Sequence, residues 1–219
     1  MLYILSYFYD LMGYNHAIFY GLNYFGNYGL LPYLLYLITL IFDLPPFIAY
    51  YFILCFLAYK HVNNQKNKSA CFSGIFYLLI RIGTCFALLH LIYAGLKFSF
   101  NLTRPLCELP ADSFFTLQAV ESVRCNASFP SAHAARALLV CYFLWPYANN
   151  FAKQAGLIIM LAMVSLSRIS LGMHYPADIA YSLIIMAGII IANNFICASL
   201  KRPAISKLEK VFFPLLFRK

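Results

Sequence analysis

Two histidines of this chain stand in sequence contexts that suit catalysis. His174 precedes Asp178 by four residues, and this helical spacing places a carboxylate beside an imidazole. A carboxylate in that position orients the ring and stabilises the cation that develops on it. His133 belongs to a different apolar segment, at the end of the run Pro130-Ser-Ala-His. We interpret His174 as a nucleophile and His133 as the general acid that protonates a leaving oxygen.

Three basic side chains lie near these histidines, at the ends of apolar runs. Lys97 and Arg104 flank the start of a polar loop, and Arg168 follows Ser167 at the end of a later run. Such a set fits a phosphate dianion, because arginine clamps two oxygens and lysine adds a point charge. Ser131 stands just before a predicted helix, where its hydroxyl and the helix N-terminus favour an anion. No carboxylate cluster remains to bind magnesium, so we predict a site without metal or other cofactor.

The order and spacing of these residues resemble the tripartite signature of the type 2 phosphatidic acid phosphatase superfamily. That signature is K-x6-R-P, then P-S-G-H, then S-R-x5-H-x3-D, and residues 97–105, 130–133 and 167–178 match it. The resemblance extends over roughly residues 73–200 and implies a phosphohistidine mechanism on lipid phosphates. It also implies a role for each matching residue: phosphate binding by Lys97, Arg104 and Arg168, phosphate lining by Ser131 and Ala132, acid catalysis by His133, nucleophilic attack by His174, support of its ring by Asp178, and support of Arg168 or of the phosphate by Ser167.

One residue departs from that signature, since Ala132 stands where the family usually has glycine. If the position requires a positive φ, alanine is strained there. If the residue is already helical, its backbone amide remains available to an anion. We favour the helical alternative.

Each of these residues also has an ordinary interpretation. Lys97 and Arg104 can simply snorkel at a membrane boundary, and a histidine–aspartate pair can be structural. The joint spacing argues against these alternatives, because a structural pair leaves His133 and Arg168 without a purpose. Three further residues stay outside the predicted catalytic set: Arg81, expected to snorkel to the cytoplasmic face, His90, expected to be a buried histidine, and Arg136, for which a lipid-headgroup contact remains an alternative.

The elements that must position the site are membrane helices, because 63% of the 219 residues are apolar and only 11% are charged. We predict an all-α integral membrane protein with about six spans in one domain, residues 1–200. Residues 47–59 form a further span, since Asp43, Pro45 and Pro46 interrupt the run before it. Residues 1–42 are ambiguous, and one half can span while the other lies in the interface. The four clearest runs are 73–96, 132–147, 151–171 and 177–200.

Lysine and arginine predict the orientation of these spans. The loop 60–68, Lys153 and the basic tail 201–219 are expected in the cytoplasm, the tail as an amphipathic helix on anionic lipid. The site then lies outside the cytoplasm, and the resemblance to the bacterial membrane-bound branch of the superfamily implies the periplasmic side of a bacterial inner membrane. Six spans place the N-terminus in the cytoplasm, and five place it outside. Residues 1–11 lack the basic start of a removable signal peptide.

The net charge of +9 does not indicate nucleic-acid binding, since basic residues occupy short loops and one terminus. Cys107 and Cys125 are the two cysteines in the predicted outer loop, where they form either a disulfide or two free thiols.

The predicted partners are the bilayer and a lipid phosphate, either a monoester or a diphosphate. Undecaprenyl diphosphate, phosphatidylglycerophosphate, phosphatidate and lipid A all fit, and the loops do not separate them. Two rival functions remain open at this point. A phosphohistidine can pass its phosphoryl group to another lipid's hydroxyl, which makes a phosphotransferase. A non-enzymatic lipid or ion carrier also places charges at a membrane boundary, but it gives no reason for the histidine–aspartate spacing.

Overall fold

A computed structural model describes residues 9–200 and 206–217, and the described chain consists of helices and loops without a β-strand. Short 3₁₀ turns occur at Leu11–Gly13, Val120–Ser122 and Trp145–Tyr147. The predicted tail is described only over 206–217, and most of residues 1–11 also lie outside the described part. The α-helices are α1 (Asn15–Gly26), α2 (Leu31–Ile41), α3 (Leu44–Asn63), α4 (Lys68–Phe100), α5 (Pro105–Glu108), α6 (Ala132–Leu144), α7 (Phe151–Ser170), α8 (Pro176–Leu200) and α9 (Ser206–Phe217).

The helices follow the apolar runs of the sequence closely. α4, α6, α7 and α8 cover the four clear runs, with ends displaced by a few residues. α3 begins at Leu44, earlier than the predicted start at residue 47. The reason is that Pro45 and Pro46 fall in the first helical turn, where the amide that proline lacks has no intrahelical partner.

Fewer helices than predicted have the length and composition of a membrane span. Within the described residues there are three such segments, in Lys68–Glu108, Phe151–Ser170 and Pro176–Leu200. α1 and α2 together make a fourth, bent by 104° at the break between them. The described chain is therefore an all-helical protein with three or four candidate spans.

The chain divides into two compact units, and the first contains every residue of the predicted site. Its described part comprises residues 9–43 and 89–187. α7 is its central helix, against which α1, α2 and α6 pack. Phe19 of α1 is fully buried and makes edge-to-face ring contacts with Phe114 of the 101–131 loop and with Tyr175. This aromatic core joins α1 to the loops around the site.

The start of α1 and the last turn of α2 both lie near the α7–α8 corner of the first unit. At the start of α1, the side chain of Asn15 accepts a hydrogen bond of 3.1 Å from the amide of Ala177, in the first turn of α8. Near the end of α2, Thr39 accepts a hydrogen bond of 2.8 Å from Arg168 at the C-terminal end of α7. Both hydrogen bonds therefore join the helix pair to the end of the first unit at which α7 ends.

The second unit comprises residues 44–88 with 188–200 and 206–217. α9 packs its phenylalanines on α4, where the rings of Phe213 and Phe72 lie 5.5 Å apart. Arg81 donates a hydrogen bond of 2.6 Å to the side chain of Asn194, and its snorkelling to the cytoplasmic face stays a prediction.

Candidate active site

The predicted site residues come from different elements that meet at one end of the first unit. This end is marked by the C-terminus of α7, and Lys153 lies near the opposite terminus of that helix. Three chain segments supply the residues: the end of α4 and its following loop (Lys97, Arg104), the start of α6 (Ser131, Ala132, His133), and the α7–α8 corner (Ser167, Arg168, His174, Asp178).

His174 and Asp178 form a buried pair. The imidazole Nδ1 lies 3.6 Å from Oδ2 of Asp178, and the two side chains are 3% and 0% exposed. The carboxylate also accepts hydrogen bonds from the Tyr9 hydroxyl at 2.7 Å, the Ser128 hydroxyl at 2.5 Å and the Tyr175 amide at 2.9 Å. Asp178 is thus fixed by donors from three parts of the chain, and it holds one edge of the His174 ring.

The corner between α7 and α8 places His174 beside Arg168. Gly172 has a φ of +64°, and the amides of Met173 and His174 both donate to the carbonyl of Arg168, at 2.9 and 3.3 Å. A left-handed glycine with such back-bonds is a common helix ending, because it satisfies the last carbonyls. The carbonyl of Gly172 accepts a further bond of 2.8 Å from Leu106, which ties the corner to α5.

Three cations surround the nucleophile candidate, and each is held by a neutral acceptor. Lys97 donates to the carbonyl of Ala127 at 2.6 Å, Arg104 to that of Met173 at 3.1 Å, and Arg168 to Thr39. Burial first, and then the charges of Arg104, Lys97 and Arg168, hold the pKa of His174 well below its ordinary value. His174 is therefore a neutral imidazole within a cationic shell.

Three polar atoms of this site are buried without a hydrogen-bond partner among the described residues. They are the hydroxyl of Ser131, Nε of Arg168 and Nδ1 of His174. Most buried polar groups in proteins are hydrogen-bonded. The Ser131 hydroxyl and Nε of Arg168 suit an oxyanion with several acceptor oxygens, whereas Nδ1 of His174 faces Asp178.

Two expectations concern the neighbouring residues Ala132 and Ser167. Ala132 is the first residue of α6, so it is helical, as the favoured alternative requires, and it carries no positive-φ strain. Ser167 donates its hydroxyl to the carbonyl of Val164 at 2.6 Å. A buried helical serine commonly bonds back to the preceding turn in this way, and support of Arg168 or of the phosphate by Ser167 stays a prediction.

The structure adds residues that the sequence did not indicate. Asp43, at the corner between α2 and α3, contacts Nε2 of His133 through Oδ1 at 2.7 Å. The hydrogen bond with His133 lowers the pKa of Asp43, and the charges of Arg168 and Arg136 add to that effect. Arg136 is buried and donates to the carbonyl of Phe42 at 2.6 Å, so its contact is with the protein backbone.

Cys107 and Cys125 are joined by a disulfide, which confirms the first of the two alternatives. The bridge lies next to Arg104, whose amide donates to the carbonyl of Cys125 at 2.9 Å and whose Nε donates to that of Arg124 at 2.9 Å. The disulfide thus braces the loop that carries a predicted phosphate ligand. Among the residues that the structure describes, no cluster of three or more His, Cys, Asp or Glu side chains is placed to hold a metal ion.

The fold and the site define an all-helical membrane protein with a buried histidine–aspartate pair inside a cationic shell. The sequence model of the PAP2 superfamily matches residues 77–199, more than half of the chain, and the protein belongs to that superfamily. The superfamily is generally one of phosphatases and phosphotransferases that act on lipid phosphates. Comparison with curated proteins and with solved structures gave no match.

Proposed function

We propose that this protein is a metal-independent lipid phosphatase that works through a phosphohistidine at His174. The observation that carries the proposal is the neutral, buried His174 inside a shell of three cations, beside donors that lack a protein partner. A neutral imidazole has a lone pair with which to attack, and the cations favour the phosphate that it attacks. The resemblance to the tripartite signature, in which the matching histidine is the nucleophile, also supports the proposal.

In the first step, Nε2 of His174 attacks phosphorus and the bond to the leaving oxygen breaks. Asp178 accepts the Nδ1 proton of His174 as a hydrogen bond and stabilises the positive charge on the phosphorylated ring. The 3.6 Å separation seen here shortens to a hydrogen bond in that step. His133 gives its proton to the leaving oxygen, so a neutral lipid alcohol departs when the substrate is a monoester.

In the second step, a water oxygen attacks the phosphohistidine and the phosphorus–nitrogen bond breaks. His133, now neutral, takes a proton from that water, which restores both histidines and releases inorganic phosphate. Lys97, Arg104 and Arg168 bind the phosphoryl oxygens in both steps. The Ser131 hydroxyl and the Ala132 amide, at the N-terminus of α6, supply uncharged donors to the same oxygens.

A phosphotransferase is the alternative that shares this first step. It differs only in the acceptor, since a lipid hydroxyl replaces water in the attack on the phosphohistidine. Incubation with labelled lipid phosphate and a second lipid separates the two functions. Release of inorganic phosphate alone supports the hydrolase, and a newly phosphorylated lipid supports the transferase. A non-enzymatic carrier yields neither product.

We also propose that the site faces the periplasm from a bacterial inner membrane. Lys153 lies near the end of α7 opposite to Arg168, and basic residues favour the cytoplasmic side. The sequence predicts about six spans, with one half of residues 1–42 crossing the membrane. The hydrogen bonds of Asn15 and Thr39 near the α7–α8 corner support five spans instead, with residues 9–15 on the side of the site.

The proposed function is tested by phosphate release from a panel of purified lipids in the presence of EDTA. The panel contains undecaprenyl diphosphate, phosphatidylglycerophosphate, phosphatidate and lipid A, and His174→Ala is the control for contaminating phosphatases. We expect release from at least one lipid by the wild type and none by the variant. No release from any lipid, or release that requires a divalent metal, contradicts the proposal.

A further inference from the structure

A carboxylate from the N-terminal part of the chain contacts the proposed general acid. Oδ1 of Asp43 lies 2.7 Å from Nε2 of His133, and the two side chains are 42% and 12% exposed. Asp43 is the residue between α2 and α3, separated from His133 by 90 positions. Its contact is much shorter than the 3.6 Å between His174 and Asp178. The site therefore contains two histidine–carboxylate pairs with different geometry.

The charged groups around His133 decide what this carboxylate does. Burial most strongly disfavours a positive charge on the His133 ring, and the charges of Arg168 of α7 and Arg136 of α6 add to that effect. His174 also interacts with the ring electrostatically. Asp43 is the carboxylate that faces the ring among these groups, and its hydrogen bond favours the protonated form. Without that anion, a histidine between two guanidinium groups loses its proton readily and has none to donate.

A general acid matters most when the leaving oxygen is strongly basic. The leaving group of a lipid phosphomonoester is an alkoxide, which requires a proton as its bond to phosphorus breaks. The leaving group of a lipid diphosphate is a phosphate, a much weaker base that departs without full protonation. A carboxylate that favours the protonated form of His133 therefore favours phosphomonoester substrates over diphosphate substrates.

We propose that Asp43 is a positioning residue that orients the His133 ring, favours its protonated form and thereby makes the enzyme selective for lipid phosphomonoesters over lipid diphosphates. This inference rests on the proposed function and names its substrate class. Because Nε2 of His133 is engaged with Asp43, the proton that moves to the leaving oxygen is the one on Nδ1. The balance of the step is unchanged, since His133 gives one proton and the alcohol receives it.

The test compares Asp43→Asn with the wild type on dodecyl phosphate and dodecyl diphosphate. We expect kcat/KM to fall by about 10- to 100-fold on the monophosphate and by no more than about threefold on the diphosphate. In the variant, the basic limb of the monophosphate pH profile moves to lower pH, since the protonated ring has lost its anionic partner. Asp43→Glu recovers part of the monophosphate activity. Asp112→Asn, an exposed carboxylate in the outer loop, is the matched control and changes neither rate.

A double variant separates positioning from a merely structural role. Once His133→Ala has removed the acid, Asp43→Asn should cause no further loss on the monophosphate, because the carboxylate acts through that ring. Equal losses on both substrates, an unmoved basic limb, or a further loss in the His133→Ala background overturns the inference. If Asp43→Asn does not fold, Asp43→Glu is assayed alone and in the His133→Ala background, and the same outcomes decide the inference.

The failures of the two proposals are distinguishable. His174→Ala that retains turnover overturns the proposed function, whatever Asp43 does. An inactive His174→Ala, together with unchanged substrate preference in Asp43→Asn, overturns only the inference about Asp43.

Discussion

The hydroxyl of Tyr9 donates a hydrogen bond of 2.7 Å to Oδ1 of Asp178, across 169 positions of the sequence. Ser128 and Tyr175 also donate to this carboxylate, and all three hydrogen bonds favour its charged form. Asp178 is therefore suited to orient the His174 ring without removing its proton. The contact also brings the N-terminal segment into the candidate site.

Tyr9→Phe tests whether this contact contributes to turnover. A hydrogen bond to a buried charged group contributes about 1.5–3 kcal/mol, so we expect kcat to fall by roughly tenfold or more with the fold retained. Tyr14→Phe removes the hydroxyl of an exposed neighbour and is the control. A Tyr9→Phe enzyme with wild-type kcat contradicts the assignment, and kcat of both variants is measured on the same lipid.

The sequence predicts the helices better than it predicts the contacts between them. Apolar runs with charged ends identify α4, α6, α7 and α8, because the bilayer requires long apolar segments. The amino-acid sequence does not determine the path of residues 15–41. Asparagines and glycines there leave spanning and interfacial helices equally open, and the sequence does not indicate contacts such as that of Asn15 with Ala177.

The site shows the same division between local and long-range information. The signature spacing selects the residues that line the site, but it does not indicate Tyr9 or Asp43, whose partners lie 169 and 90 positions away. One signal for Asp43 was present. A carboxylate between apolar residues at membrane depth is costly and by default marks a functional site as well as interrupting an apolar run. Tyr9 offers no such signal, since tyrosine is common at membrane interfaces.

Gly172→Ala tests the corner that carries His174. The residue has a φ of +64°, and an added Cβ lies 2.8 Å from the ring of Phe114. A left-handed alanine costs about 1–2 kcal/mol, and the steric contact adds to that cost. We expect a lower midpoint of thermal unfolding in detergent and a reduced kcat, because the corner positions His174. Gly188→Ala is the control, since its added Cβ meets no atom within 4 Å. Equal behaviour of the two variants contradicts this account of the corner.

Reduction of the Cys107–Cys125 disulfide tests the bracing of Arg104. In the chain-entropy model, a bridge with a separation of 18 residues contributes roughly 3 kcal/mol to stability. We expect Cys107→Ser to lower the unfolding midpoint and to raise KM, because the loop that positions Arg104 loosens. Cys71→Ser, at a free cysteine, provides the comparison. The account of the loop is wrong if Cys107→Ser changes neither quantity, or if mass spectrometry of the oxidised protein finds both thiols alkylated.

The protonation state of His174 is directly measurable. Burial and the cations Arg104, Lys97 and Arg168 hold its pKa well below the ordinary value of about 6.5. Since the folded-state pKa is depressed, the ring stays neutral as pH falls through the range in which exposed histidines gain a proton. NMR of protein labelled at its histidines follows this titration, and His174→Asn identifies the signal. We expect no titration of that signal near pH 6.5, and a midpoint there contradicts the predicted environment.

The most direct test of the central claim is the capture of the phosphoenzyme. Protein mixed with ³²P-labelled lipid phosphate in EDTA is quenched under alkaline conditions that preserve phosphohistidine, and the labelled residue is located by mass spectrometry. We predict label on His174 in the wild type and none in His174→Ala. His133→Ala should still acquire label, most readily from a diphosphate, whose leaving group needs no acid. Label on another residue, full turnover by His174→Ala, or turnover that chelator abolishes and a divalent metal restores contradicts the account.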